Sequence, residues 1–153
     1  MFHREITRKK RGKKMIEDLR LAAPCGLYCG VCSTLLENSC HGCRCSAEDC
    51  FAAEKHKVCS IYCCVEERGL QDCSSCDDFP CTAMIQFAFD PIMRTHQPAL
   101  ENLNRRKRKG IKAWLEEQRT FWEKAPGKFD EWVSFHQKCK RKKRKTLKNS
   151  STK

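Results

Sequence analysis

Thirteen of the chain's fourteen cysteines fall between Cys25 and Cys81, in short-spaced groups. The run PCGLYCGVC supplies Cys25, Cys29 and Cys32. Cys40-x2-Cys43 follows, with Cys45 and Cys50 close behind, then Cys59-x3-Cys63-Cys64, then Cys73-x2-Cys76-x4-Cys81. Thiols so placed can bridge one another, hold metal, or react. Metal fits the spacing best. A tetrahedral ion needs donors converging from different directions. Two cysteines two residues apart, in a tight loop carrying glycine, turn their sulfurs to one point, and a second pair completes the site.

Cys40, Gly42 and Cys43 make such a knuckle. Cys59 and Cys63 stand i, i+4 on one helical face. The set Cys40, Cys43, Cys59 and Cys63 therefore approaches the common two-pair zinc spacing. The triplets Cys25/Cys29/Cys32 and Cys73/Cys76/Cys81 each lack a fourth ligand, for which Cys45, Cys50, Cys64, His41 and His56 are the candidates. Cross-bracing between groups is as compatible with the spacing as this local grouping. Two or three zinc ions would be accommodated. One or two iron–sulfur clusters are the alternative, because all-cysteine sets suit both. Cys25-x3-Cys29-x2-Cys32 also matches the triplet of radical S-adenosylmethionine enzymes. Residues 33–153 lack the length and strand pattern of the barrel that such chemistry needs.

The compartment bears on bridging. The N-terminal stretch MFHREITRKKRGKKMIEDLR has no apolar signal core, and no run approaches the roughly 20 apolar residues of a membrane span. The expectation is a cytoplasmic protein without membrane attachment, where thiols stay reduced and close cysteine pairs hold metal. Met15 is a plausible alternative start.

The scaffold that must position these thiols is thin in apolar residues. Leu, Ile, Val and Phe make up 28 of 153 residues. That is below the roughly 20 per cent at which charged chains lose a stable core, so cross-links must hold part of the fold. Charge is sorted along the chain. Residues 1–14 are net +6, residues 15–100 net −6 and residues 101–153 net +12.

The expected organisation is a basic arm over 1–14, a cysteine-rich metal-binding domain over 15–92, a helical extension over 93–137 packing on it, and a disordered basic tail over 138–153. The fold class is a small metal-stapled protein, mostly α, with irregular cysteine-rich loops and little or no sheet. Helices are expected from Val58-Cys59 to Arg68, ended by Gly69, and from Pro80 to near Asp90. Asp77 and Asp78 read as helix-starting acids. A longer helix runs from Pro98 through Trp122 with Gly110 inside it, and Ala125-Pro126-Gly127 breaks it. Phe129, Trp132, Val133 and His136 share a further helical face, and the aromatic stripe is read as core packing against the metal-bound half. Cys139 reads as a free thiol of the tail. His3, His96 and His136 read as structural or solvent-facing.

These motifs resemble a known family. The run Ala23 to Cys32, then Cys40-His-Gly-Cys43, then Cys59-x3-Cys63, then Cys73-x2-Cys76-Asp-Asp-Phe-Pro-Cys81, is similar to the uncharacterised bacterial and archaeal family called domain of unknown function 3795. The resemblance spans roughly residues 22–90, with a further helical likeness from Leu100 to Trp122. It implies metal binding by Cys25, Cys29, Cys32, Cys40, Cys43, Cys59, Cys63, Cys73, Cys76 and Cys81. Cys45, Cys50 and Cys64 are additions of this sequence.

Function is expected to follow from the metal. A structural zinc module that engages a protein partner leads. An iron–sulfur protein for electron transfer or redox sensing is the alternative. Arg105–Lys109 and Lys140–Lys145 are candidates for neutralising nucleic-acid phosphates without base readout. No acid pair, nucleophile–base pair or phosphate loop points to an enzyme.

Overall fold

The computed structural model describes residues 19–37, 39–45 and 59–150. The expected arm over 1–14, Cys50 and His56 lie outside them. The described chain is mostly helical. A short 3₁₀ turn at Cys29–Val31 runs into α1 (Ser33–Leu36), followed by α2 (Ser60–Glu67). A second 3₁₀ turn, Cys73–Ser75, precedes α3 (Thr82–Ala88), and a third, Arg94–His96, precedes α4 (Ala99–Lys109). Two longer helices complete the order, α5 (Ile111–Lys124) and α6 (Pro126–Ser150). Among the described residues the β-structure is one isolated antiparallel bridge, Ala22 to Tyr28. The mostly-α class with irregular cysteine-rich loops is what the structure has.

Local chemistry sets the helix ends. Gly69, at φ +62°, closes α2 as the residue just past its C-terminus. Its N–H reaches the Glu66 carbonyl at 3.1 Å, and the Leu70 N–H reaches Val65 at 3.0 Å. That is the paired closure a left-handed glycine makes possible. The single helix expected from Pro98 to Trp122 is instead two. Gly110, at φ +86°, ends α4 and starts α5, because this backbone angle is foreign to a helix and inexpensive only for glycine.

The tail also departs from expectation. Residues 138–150 continue α6 rather than being disordered. Lys and Arg are good helix formers, and cations near a helix C-terminus complement its dipole. One face of α6 is also tied to the body. The Ser33 hydroxyl and His136 Nδ1 lie 3.0 Å apart, Lys140 donates to the Thr34 hydroxyl, and Lys143 lies 3.9 Å from Asp90. Cys139, read as a tail thiol, is buried on that same face.

Two apolar clusters hold the body. Ile61 and Val65 of α2, Met84 and Ala88 of α3, and Ala99 and Leu103 of α4 enclose Cys73. Cys25, Cys59 and Cys81 pack on the edge of this cluster. The helical extension thus contributes directly to the cysteine-bearing core. The second cluster places Trp114 and Leu115 of α5 against Ala22, with Leu19, Leu21, Tyr28 and Ile111 around them. The aromatic stripe divides. Trp114 meets Tyr28 edge-on at 6.1 Å, as expected of packing on the cysteine half. Trp122 instead meets Phe129 at 6.4 Å and Trp132 at 6.1 Å, across the α5–α6 junction.

Candidate metal centre

Two of the cysteine groups are set by turns that a side chain cannot easily occupy. Gly26 follows Cys25 at φ +97°. A Cβ there would sit 2.4 Å from the Ala99 carbonyl oxygen, so glycine lets the first cysteine loop lie directly on α4. Gly42 does the same for the knuckle, where a Cβ would come within 2.2 Å of the Arg20 carbonyl. The Gly42 N–H donates to Cys40 Sγ at 3.4 Å. The third group is anchored to the first by its backbone, since the Cys73 N–H donates to the Pro24 carbonyl at 3.2 Å. Cys76 Sγ accepts from Arg68 Nη1 at 3.2 Å, and the same guanidinium pairs with Asp78 at 2.9 Å.

The thiols fall into two neighbourhoods. In the first, Cys29 and Cys43 form a thiol–thiol hydrogen bond that, with burial, raises the Cys29 thiol well above its ordinary range. Burial pushes the Cys25 thiol up to about 12, and Cys43 and Cys59 push the same way, while the Leu27 backbone and Arg106 oppose them. In the second, burial pushes the Cys73 thiol up to about 12, with Cys81, Asp72, Cys64 and Cys76 adding to the rise. Cys25 and Cys29 are thus electrostatically linked with Cys43, and Cys25 also with Cys59, while Cys73 is linked with Cys64, Cys76 and Cys81.

This division crosses the local sets suggested by spacing. Cys43 and Cys59, expected to share a site with Cys40 and Cys63, lie beside the first triplet. Cys64, one of the added cysteines, lies beside the last triplet. Cys40 is buried in its own knuckle, and Cys32 and Cys63 are half-buried. Cys45 Sγ lies 3.9 Å from His41 Nδ1 on the exposed side of the knuckle. All thirteen described cysteines are unbridged. Donor type and number in each neighbourhood fit a four-thiolate metal. Their positions are not drawn onto a common point, and among the described residues no three Cys, His, Asp or Glu side chains converge closely enough to hold an ion.

A buried ion pair that spacing gave no cause to expect joins the two neighbourhoods. Arg106 of α4 is 3% exposed. Its Nη1 donates to the Ala23 carbonyl at 2.6 Å and to Asp72 Oδ2 at 3.3 Å, and its Nη2 donates to the Leu27 carbonyl at 3.2 Å. The guanidinium also lies 3.9 Å from the centre of the Trp114 ring. Burial lowers the Arg106 pKa, and Asp72 and Cys25 offset part of that. Asp72 in turn caps the 3₁₀ turn bearing Cys73 by accepting from the Ser74 N–H at 2.9 Å. Trp114 is fixed by its own Nε1–H, which donates to Asn102 Oδ1 at 3.3 Å. The sequence signal was present. Arg106 recurs at i+7 from Ala99 and i+3 from Leu103, on the apolar side of α4.

Three of the other four cations in the basic run containing Arg106 are paired within the fold. Arg105 pairs with Glu101 at 3.0 Å, Arg108 lies 3.8 Å from the same carboxylate, and Lys109 pairs with Glu117. His96 is buried and stacked on Phe87 at 4.0 Å, in keeping with a structural role. No described helix is long and apolar enough to cross a membrane. Comparison with protein-family models, curated proteins and solved structures gives no match to this chain.

Proposed function

We propose that this chain is a small metal-binding protein in which cysteine thiolates hold structural zinc and the stapled body serves as an interaction module for a protein partner. The observation that carries this reading is the gathering of cysteines from all four sequence groups around one small body, with Cys73 in its core and Cys25, Cys59 and Cys81 packed on the edge. Cys25, Cys29, Cys43 and Cys59 would hold one ion, and Cys64, Cys73, Cys76 and Cys81 the other. Cys32, Cys40 and Cys63 complete the set suggested by the resemblance to domain of unknown function 3795. A bound structural zinc supplies cross-linking energy of roughly 10–16 kcal/mol, which offsets the poverty of apolar side chains. The chain's own part is to bring separate loops together. Gly26 and Gly42 permit close backbone approach, and Arg106 and Asp72 lock the first and third loops to α4. Thiolate metal sites of this kind require reduced cysteines, as in the cytoplasm.

The test is the metal content of protein purified anaerobically, by plasma mass spectrometry, with its visible spectrum and acid-labile sulfide. Zinc with no visible band supports the reading. Iron with sulfide and a broad band near 400 nm replaces zinc with a cluster. Protein that folds without any metal overturns it.

A further inference from the structure

The C-terminal half of α6 has two faces with different fates. His136, Cys139, Lys140 and Lys143 are turned toward the body, through the contacts described above. Lys138, Arg141, Lys142 and Lys145 recur at i, i+3, i+4 and i+7, which places them together on the opposite side of the helix. All four are exposed, and none makes an ion pair with the described residues. Residues 132–150 contain no Asp or Glu that could neutralise them. Four like charges at i, i+3 and i+4 repel and destabilise the helix that displays them. The fold tolerates this arrangement here, whereas it pairs or buries four of the five cations in Arg105–Lys109.

The spacing suits one kind of anion. Lys138, Arg141, Lys142 and Lys145 stand at rises of about 0, 4.5, 6 and 10.5 Å along the helix axis, a stripe about as long as three phosphate steps of one strand. One strand of a nucleic-acid duplex presents a phosphate about every 3.4 Å along its axis. The stripe carries no aromatic side chain on which unpaired bases would stack. Nor does it have an apolar flank for a lipid interface, since the exposed Leu147 lies on the opposite side of the helix. We propose that the outward face of α6 binds the phosphate backbone of double-stranded nucleic acid without reading its sequence. This surface differs in part from the one that the basic runs alone suggest. Lys140 and Lys143 contact the body, and four of the five cations of Arg105–Lys109 are paired or buried.

The test is fluorescence anisotropy of the full chain with labelled 20-base-pair DNA and RNA duplexes of one arbitrary sequence, between 50 and 200 mM salt. The variant K138Q/R141Q/K142Q/K145Q keeps helix propensity and removes the stripe. It should bind at least tenfold more weakly at 100 mM salt, with a log–log salt slope shallower by about 3.6, or 0.9 per lost phosphate contact. Circular dichroism checks that α6 persists. The basic arm at 1–14 is present in every variant, so the difference reports α6. The swap K138R/R141K/K142R/K145R should bind like the parent, and so should R105Q/R108Q/K109Q. The tighter duplex identifies the nucleic acid. The proposal falls if the glutamine variant binds as tightly as the parent, or if R105Q/R108Q/K109Q loses as much. It also falls if vesicles containing phosphatidylserine bind while both duplexes do not, or if polyglutamate at equal charge displaces duplex as well as duplex itself does.

Discussion

Replacing Arg106 with Met tests the clamp that joins the two thiol neighbourhoods. Methionine keeps the unbranched apolar stem of the side chain and ends near the position of Nε. It removes the cation, so Asp72 is left as a buried carboxylate with its Ser74 bonds alone. The Ala23 and Leu27 carbonyls lose their donor, and the contact over Trp114 is lost. Breaking a buried ion pair from one side costs about 3–5 kcal/mol, because the remaining charge stays desolvated. The lost carbonyl bonds belong to the same unit and are not additive with that figure. Against a total stability of about 5–15 kcal/mol, this is enough to lower the urea midpoint severely. The assay is urea unfolding of metal-loaded protein, followed by far-ultraviolet circular dichroism and tryptophan fluorescence. Arg106→Met/Asp72→Asn removes the orphan charge and should recover at least about 1 kcal/mol of the loss. Arg106→Lys should not restore the parent, since one ammonium cannot reach two carbonyls and a carboxylate and also cover the indole. If Arg106→Met lies within about 1 kcal/mol of the parent, or the double variant recovers nothing, the clamp does not hold the loops.

Further tests address the loop geometry and the metal. Gly26→Ala and Gly110→Ala both place a side chain at positive φ, but only Gly26 meets backbone, at the Ala99 carbonyl. Gly26→Ala should therefore cost about 1–3 kcal/mol more than Gly110→Ala in urea melts. The Met93 and Ile92 backbone N–H groups, with Lys143 and His96, hold the Asp90 carboxyl below its ordinary range. Its stabilising contribution is thus present above the unfolded carboxyl pKa and is lost as pH falls through the folded one. Asp90→Ala should cost about 1 kcal/mol near neutral pH, and the gap to the parent should close below about pH 4. A chelator in excess under reducing conditions should abolish the cooperative thermal transition, because so small a core does not hold the cysteine loops alone.

The helical class was legible because its signals are local. Gly69 ended α2 where expected, and Leu103 of the helix expected from Pro98 lies in the core. Gly110 was visible as a weak point, but the sequence did not distinguish a kink from a complete break, which depends on the φ adopted there. The tail was read as disordered from its charge. Its Lys and Arg are good helix formers, and long-range contacts add to that: His136, Lys140 and Lys143 reach Ser33, Thr34 and Asp90, more than fifty positions away in the chain. The same limit applies to the thiols. Spacing identified the groups, but which groups meet is decided by Gly26, Gly42 and Arg106 bringing backbone segments together. Arg106 itself was hidden by its company, because a run of five cations reads as surface until the helical period singles out the one that faces Leu103.

The central claim is that two sets of thiols each hold a metal ion. Zinc per chain, measured by plasma mass spectrometry on anaerobically purified parent, Cys43→Ser and Cys81→Ser, tests it most directly. The account predicts about two ions in the parent, about one in each variant, and about none when the two substitutions are combined. A parent without metal, or variants that keep the parent's content, would contradict it.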